Sequence, residues 1–532
     1  MTHATKLIKK VRRGVQNVAY GNPIYQKMLA SGDVPQRLYF TPSDPWPGDA
    51  AAGQVLLSGQ SSMFERAEST ALRHAATALR NLRAIGTDAA RGASVRLIDS
   101  WIHQFDKWDE VEWTSENLGS RIAAWIGFYD FYASAATPDF TPRLVSSLFR
   151  QWKHLVRTIS PSLTGVEAVQ AARGLIYGGL NFPDGDTALG LACDLLQRQI
   201  AAEILADGGH ASRNPSAQLH ILRHLVDIRN VFELADIRLP ESIGAALAAM
   251  IPPLKFYRHG DGGLGLFHGA VEETPLLIDA VLTQAVVRGR VLRRLTETGY
   301  ERLMAGRSLL LVDAASPPPR AIGSEGHAGL LSFEFSHGRE RIFVNCGAVP
   351  QGSDQWRAAC AATAAHTTVT VADTNACDID SDGGIVGSVQ TTAQRFEEGG
   401  AHGLEMSHDG YRSRFGLIHH RVLRLSGDGE VLTGRDTLQG NQGHEFTLRW
   451  HLHPSVQVSL SHGGQTALLR TAAGGGWRLR AEHGSSSASA LSLEQSIYCG
   501  TATPRRTMQI RMTGVTASGE TTVGWSLTRE RK

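Results

Sequence analysis

Apolar positions recur at helical spacing along the first half of the chain. Phe64, Leu72, Ala75, Leu79 and Leu82 form one such series, and Ile122, Trp125, Ile126 and Tyr129 fall at i, i+3, i+4 and i+7, the one-sided pattern of an amphipathic helix. Leu144, Leu148, Trp152 and Leu155 continue it, followed by Ala188, Leu191, Leu195 and Ile200, then by Leu219, Leu222, Leu225 and Ile228. Helices of roughly 10–20 residues with short connections predict a helical hairpin array over 61–295, either a solenoid or a closed toroid. Residues 1–60 read as an arm and a loop. The loop segment Thr41–Gly53 carries three prolines and two glycines, so neither a helix nor a central strand is expected there. Trp46 is expected to pack as a plug.

Over 296–532 the pattern changes to short apolar runs divided by Gly, Asp, Ser and Asn. SLLLVDA (308–314), LLSFEFS (330–336), TVTVAD (368–373) and RVLRL (421–425) are examples. Period-two alternation with frequent turns reads as an antiparallel β-sandwich, and SGDG at 426–429 is a hairpin turn signal. The predicted class is therefore α+β and multidomain, helical first and sandwich second.

Composition narrows the function. The 532 residues hold 53 Lys+Arg against 51 Asp+Glu, a balance unlike that of a dedicated nucleic-acid binder. No stretch approaches the ~18 apolar residues of a membrane-spanning helix. Five widely spaced cysteines, Cys193, Cys346, Cys360, Cys377 and Cys499, suggest buried thiols rather than a zinc knuckle or a disulfide framework. Lys6, Lys9, Lys10, Arg12 and Arg13 make a basic start with no apolar run after it, so a solvated basic helix is expected and a secretory signal is not readable. The sequence leaves the oligomeric state open.

Candidate chemistry centres on histidine. DGGHASRNPS (207–216) presents His210, Arg213 and Asn214 between two helical stretches, with Ser212 or Asn214 placed to cap the next helix and Pro215 near its first turn. FYRHGDGGLGLFHG (256–269) groups Tyr257, Arg258 and His259 before a glycine run. AAHTTVTVADTN (364–375) sets His366 and Asp373 at the two ends of a strand. DGYRSRFGLIHHRVLRL (409–425) brings Tyr411, Arg414, His420 and Arg421 onto what could be one face. His451 and His453 alternate on a strand, a spacing that suits a divalent metal or a plain surface pair. Nucleophile-elbow, P-loop, HExxH and dinucleotide-binding patterns are absent.

These segments, in this order, are identified as those of the heparinase II/III-like family of polysaccharide lyases. PSDPWPGDAAAGQVLLSG, WIHQFDKW, WTSENLGSRIAAWI, GLIYGGL, ILADGGHASRNPS, FYRHGDGGLGLFHGA, HAGLLSFEFS, RIFVNCG, AAHTTVTVADTN, FGLIHHRVLRL and WHLHP carry the resemblance over nearly the whole chain. It implies an incomplete (α/α) toroid followed by a β-sandwich, and β-elimination on a uronate-containing acidic glycan with no nucleotide or redox cofactor. It implies His210, Asn214, Tyr257, His366 and Tyr411 as catalytic residues, and Arg213, Arg258, His259, His420 and Arg421 as substrate-binding ones. A structural divalent metal, zinc or calcium, is allowed for at His366, Asp373 and His451. The location it implies is the periplasm or cell envelope, with the cytoplasm as the alternative. Two other readings stand beside the lyase. One is a non-catalytic glycan-binding or envelope-polysaccharide assembly protein. The other is a glycoside hydrolase using Asp106, Asp109 and Glu110 near Trp101 and Trp108.

Overall fold

The computed structural model describes residues 16, 18–58, 75–286, 290–318, 322, 326–349, 354–380, 384–482, 489–500 and 503–530. The basic start at Lys6–Arg13 and the apolar positions Phe64 and Leu72 lie outside the described residues. Two compact units emerge, one of residues 1–202, 220–248 and 280–286, the other of 203–219, 249–279 and 287–532.

The first unit is helical. Its principal helices are Asp88–Phe105, Ser115–Gly127, Phe140–Thr158, Gly165–Gly179 and Gly185–Glu203, the last of which ends one residue beyond the unit. Thr87 and Thr114 cap the first two, their hydroxyls accepting from Ala90 and Asn117, which satisfies donors that a helix start leaves open. The buried face of Phe140–Thr158 repeats Leu144, Leu148, Trp152 and Leu155, as the spacing predicts. A buried cation sits among these helices. Arg121 lies 3.8 Å above the Trp101 ring, 3.3 Å from Glu112 Oε2 and 2.7 Å from Gln151 Oε1. Burial pushes its pKa down to about 9 against the pull of Glu112.

Helices Ser115–Gly127 and Gly165–Gly179 touch backbone to backbone. A Cβ on Gly174 would lie 2.4 Å from Gly119 Cα, and one on Gly119 would lie 2.2 Å from the Gln170 carbonyl oxygen. Neither neighbour is a flexible side chain that can yield. Gly174→Ala is therefore expected to destabilise by about 1–3 kcal/mol, read as a lower thermal midpoint. An unchanged midpoint would show that the helices separate without cost.

The proline-rich segment corrects one expectation. Residues Ala50–Leu57 are helical, because the prolines end at Pro47 and Asp49 Oδ1 accepts from the amides of Ala51 and Ala52. Trp46 is buried, and Asp44 binds Arg80 through bonds of 3.0, 3.1 and 2.6 Å.

The second unit contains the sandwich, all of whose sheet pairings are antiparallel. One sheet runs in the order Arg294–Leu295, Tyr300–Ala305, Ser308–Asp313, Phe333–His337, Glu340–Val344, Glu445–Leu452, Arg505–Val515 and Ser492–Tyr498, with Val369–Val371 also on Glu445–Leu452. The other runs Gln457–Ser461, Thr466–Arg470, Gly476–Glu482, Gly519–Glu530, Val431–Gly440, Leu417–Leu425, Ala401–His408 and Thr391–Glu398. Strict in-out alternation on Leu417–Leu425 buries Leu417, His419, Arg421, Leu423 and Leu425. The shared core joins Phe333 to Trp525 in a stacked pair at 5.7 Å. Cys193 is partly buried, and Cys346, Cys360, Cys377 and Cys499 are buried free thiols. Among the described residues no helix is long and apolar enough to cross a membrane.

Candidate functional site

The loop 207–214 and the turn 257–269 belong to the same compact unit as the sandwich, and Asp313 of the sandwich faces Arg213 of the loop and His268 of the turn. Arg213 adopts φ 60°, a left-handed conformation that costs a side-chain-bearing residue roughly 1–2 kcal/mol. Its guanidinium donates to the carbonyls of Thr298 (2.7 Å), Gly299 (3.1 Å), Ala315 (3.2 Å) and Ser316 (2.5 Å) and to the carboxylate of Asp313. Burial alone would raise the Asp313 pKa, but Arg213 and His268 hold it below the usual carboxylate value. His268, at φ 45°, lies with Nε2 2.9 Å from Asp313 Oδ2, off the hydrogen-bonding direction. Its Nδ1 accepts the backbone N–H of His327 at 3.2 Å. Two strained residues thus flank one buried carboxylate, and strain of this kind collects at functional sites.

From His327 a chain of imidazoles extends. His366 Nδ1 faces the carbonyl oxygen of Ala362 at 2.9 Å; a carbonyl only accepts, so Nδ1 carries the proton and Nε2 a lone pair. That lone pair lies 3.1 Å from His327 Nδ1, which therefore donates to it. The proton assignment leaves His327 Nε2 as an unprotonated nitrogen with no partner among the described residues. The rings meet edge to face at 5.1 Å. Burial pushes the His366 pKa down to about 4 and holds His327 well below the ordinary histidine value. The strap beneath them is short: Thr363 Oγ1 donates to the Ala328 carbonyl at 2.7 Å, and the Ala328 amide donates to Ala361 at 2.8 Å. Gly329 lets His366 approach, since a Cβ there would lie 2.5 Å from the ring.

Two further groups keep free polar atoms. Asn214 Oδ1 accepts from the amides of Ser216 (2.8 Å) and Ala217 (3.3 Å). It caps helix Pro215–Leu234, which fixes the amide so that Nδ2 points away, without a partner among the described residues. Tyr257 packs edge-on against Phe256 and Tyr300. Its hydroxyl makes no hydrogen bond among the described residues, and burial raises its pKa. None of Asn214 Nδ2, Tyr257 Oη and His327 Nε2 is among the sealed, unpartnered polar atoms of the interior, although the Tyr257 side chain as a whole is buried, 1% exposed.

The remaining residues named from sequence each make internal side-chain bonds. His210 holds Glu203 at 3.0 Å and Ser212 at 2.7 Å, clamping its own turn. His259 binds Glu334 at 3.0 Å and Ser336 at 2.8 Å. Arg258 binds the Gly262 carbonyl at 3.1 Å and Asp279 at 2.8 Å. Tyr411 lies in the sandwich core and donates to the Val369 carbonyl at 2.8 Å. Arg421 is buried against Asp436 at 2.7 Å, and Asp436 also holds His419 at 2.8 Å. His420 points the other way, 3.2 Å from Gln439 Oε1, so the four residues Tyr411, Arg414, His420 and Arg421 do not share a face. Successive strand residues alternate sides.

His366, Asp373 and His451 do not converge. The Asp373 side chain is 85% exposed, near Arg449 at 3.5 Å, and His451 binds Ala364 O at 2.9 Å and Ser496 Oγ at 3.0 Å. Among the described residues no group of three or more His, Cys, Asp and Glu is arranged to hold a metal ion. In the helical unit, Asp106 pairs with Arg150, and Asp109 Oδ1 accepts from the amides of Val111 and Glu112, each at 2.8 Å. His327 and His268 were not singled out from the sequence. The signals available were their places in HAGLLSFEFS and FYRHGDGGLGLFHGA.

The comparisons with known proteins agree with this architecture. Residues 287–526 match the model of the "Heparinase II/III-like, C-terminal" family. Among solved structures, a heparinase III is similar with a TM-score of 0.66 at 15% identity, covering 85% of this chain and 75% of that one. A heparan sulfate lyase (mutant) of Pedobacter heparinus is similar with a TM-score of 0.62 at 13% identity, covering 86% and 76%. Likeness at such low identity shows the fold alone, an α+β chain with a helical toroid followed by a sandwich. A relative called FtsZ-localized protein C, of Caulobacter vibrioides, is 30% identical over 487 residues, 84% of this chain and 83% of that protein. With the sandwich matched by the family model and the relationship running through the helical part as well, the chain belongs to the heparinase II/III-like family.

Proposed function

We propose that the chain is a polysaccharide lyase that breaks a uronate-containing acidic glycan of the cell envelope by β-elimination. One observation carries this reading: Asn214 Nδ2, Tyr257 Oη and His327 Nε2 stay unengaged among the described residues, while His210, His259, Tyr411 and Arg421 hold internal partners. They are a donor, an acid and a base. The Asn214 amide, set at the start of a 20-residue helix, neutralises the uronate carboxylate with the help of the helix field. Neutralisation makes the C5 proton easier to remove, because the negative charge that develops is already met by donors. His327 Nε2 takes that proton, and its Nδ1–H bond to His366 lets the second ring share the resulting charge. Tyr257, kept protonated by burial, gives its proton to the leaving glycosidic oxygen as the C4–O4 bond breaks and the C4–C5 double bond forms. Water returns Tyr257 and His327 to their starting states.

The test is ultraviolet absorbance of the unsaturated product across heparan-type, alginate-type and bacterial exopolysaccharide substrates. Absence of product throughout, from protein with an intact fold, overturns the reading. The pH profile adds a second check. Burial lowers the His366 pKa to about 4 and lowers that of His327, so the base form persists through the ordinary histidine range. As pH falls through about 6.5, kcat/KM is expected to stay level; a limb centred there would contradict the His327 assignment.

A second reading has its own support. The relative from Caulobacter vibrioides is named for where it is found, with FtsZ, and not for a reaction. This favours a glycan-binding or envelope-assembly protein on the same fold. Saturable binding of a uronate glycan with no turnover would select it over the lyase.

A further inference from the structure

A separate recess lies within the sandwich unit, where strand Tyr300–Ala305 of one sheet borders strands Thr391–Glu398 and Ala401–His408 of the other. Its volume is about 200 Å³, and Arg293, Arg302, Arg395, His402, Val291 and Met304 line it. A single water needs only roughly 10–15 Å³ measured this way, so the recess admits a larger group.

Its charge is unbalanced. Arg395 is matched by Glu301 at 2.6 Å, and Arg294 approaches the same carboxylate at 3.4 Å. Glu397, largely exposed, lies 3.2 Å from His402 and 4.0 Å from Arg293. Among the described residues Arg302 has no carboxylate partner. It is 8% exposed; Nη1 donates to the carbonyls of Phe256 (2.7 Å) and Arg258 (3.0 Å), and Nε is sealed without a partner. Nη2 has no hydrogen bond among the described residues, yet it is not among the sealed atoms. Burial depresses the Arg302 pKa to about 10, which reflects a cation removed from water without a counter-charge. The rim is apolar, with Val291 and Met304 exposed.

We propose that this recess binds an acidic sugar residue, its carboxylate or sulfate meeting Arg302 and Arg395 and its ring face resting on Val291 and Met304. The anion supplies the counter-charge that Arg302 lacks, and planar guanidinium groups suit oxyanions. A concave recess takes a single saccharide unit, whereas a lipid surface needs a protruding one. The choice of a sugar rests on the acidic-glycan reading above. Arg302 holds the carbonyls on both sides of Tyr257, so a glycan anchored here is held through the same backbone as the proposed acid.

The test is calorimetry on the full chain at low ionic strength with glucuronate, glucose 6-sulfate and glucose. Free monosaccharides carry no glycosidic bond to eliminate, so their binding is read without turnover; the part of it that Met304→Glu removes scores the recess, while missing product from polymers scores the lyase reading. Binding by at least one acidic sugar, with none by glucose, is expected. Arg302→Met is expected to weaken it by tenfold or more. Met304→Glu, at an exposed position that leaves folding intact, places a like charge at the rim and is expected to do the same. Failure of both acidic sugars to bind, equal binding of glucose, or undiminished binding by Met304→Glu overturns the proposal.

Discussion

Under the proposed lyase function, His327→Ala is expected to reduce formation of the unsaturated product by about 10²–10⁴-fold, the usual worth of a positioned general base, while leaving the circular dichroism spectrum unchanged. Among the described residues the side chain holds one hydrogen bond, at 3.1 Å to His366, so its removal alters little else there. His366→Ala removes the ring that shares the charge, and a smaller loss is expected because His327 keeps its basic nitrogen. The order of the two effects is the informative outcome. A larger loss from His366 than from His327 would mean that the relay runs the other way and that the proton assignment is wrong. Equal wild-type rates from both would remove the imidazole pair from the reaction.

Asp313→Asn is expected to cost about 3–5 kcal/mol of stability, the range seen when one partner of a buried pair is removed. Among the described residues the carboxylate is the only anion bonded to Arg213, whose other acceptors there are backbone carbonyls. Guanidinium denaturation of the whole chain measures it. The same group predicts an acid response. Burial works to raise the Asp313 pKa, but Arg213 and His268 leave it lowered in the fold. The stabilisation is therefore fully present above the unfolded carboxylate value near 3.9 and is lost as pH falls below it. Asp313→Asn should flatten that dependence, and a variant whose stability still fell equally in acid would place the titrating group elsewhere.

Much of the fold was legible because long elements repeat their apolar positions. The spacing of Leu144, Leu148, Trp152 and Leu155 fixed one helix face, and the alternation in RVLRL (421–425) marked the end of the strand Leu417–Leu425. The stretch before Leu57 was less legible. Its prolines dominated the reading, and the cap formed by Asp49 depends on geometry that composition does not express. Candidate residues were legible as types more than as roles. A polar residue beside glycine looks available until its partner is known, and the partner is distant: Glu334 engages His259 across 75 positions. His327 was obscured for the opposite reason. Its free nitrogen follows from a contact with His366 across 39 positions, which no local pattern announces.

Compact grouping of residues 203–219 and 249–279 with 287–532 bears on how this protein can be taken apart. The family match spans 287–526, which invites treating that stretch as a transplantable cassette. Excised at residue 287, it would lose Arg213, the salt-bridge mate of Asp313, and also Asn214, Tyr257 and His268. Chimeras that swap partners at that junction would inherit an orphaned carboxylate, so the natural seam for grafting is interleaved through the helical half and is no single cut.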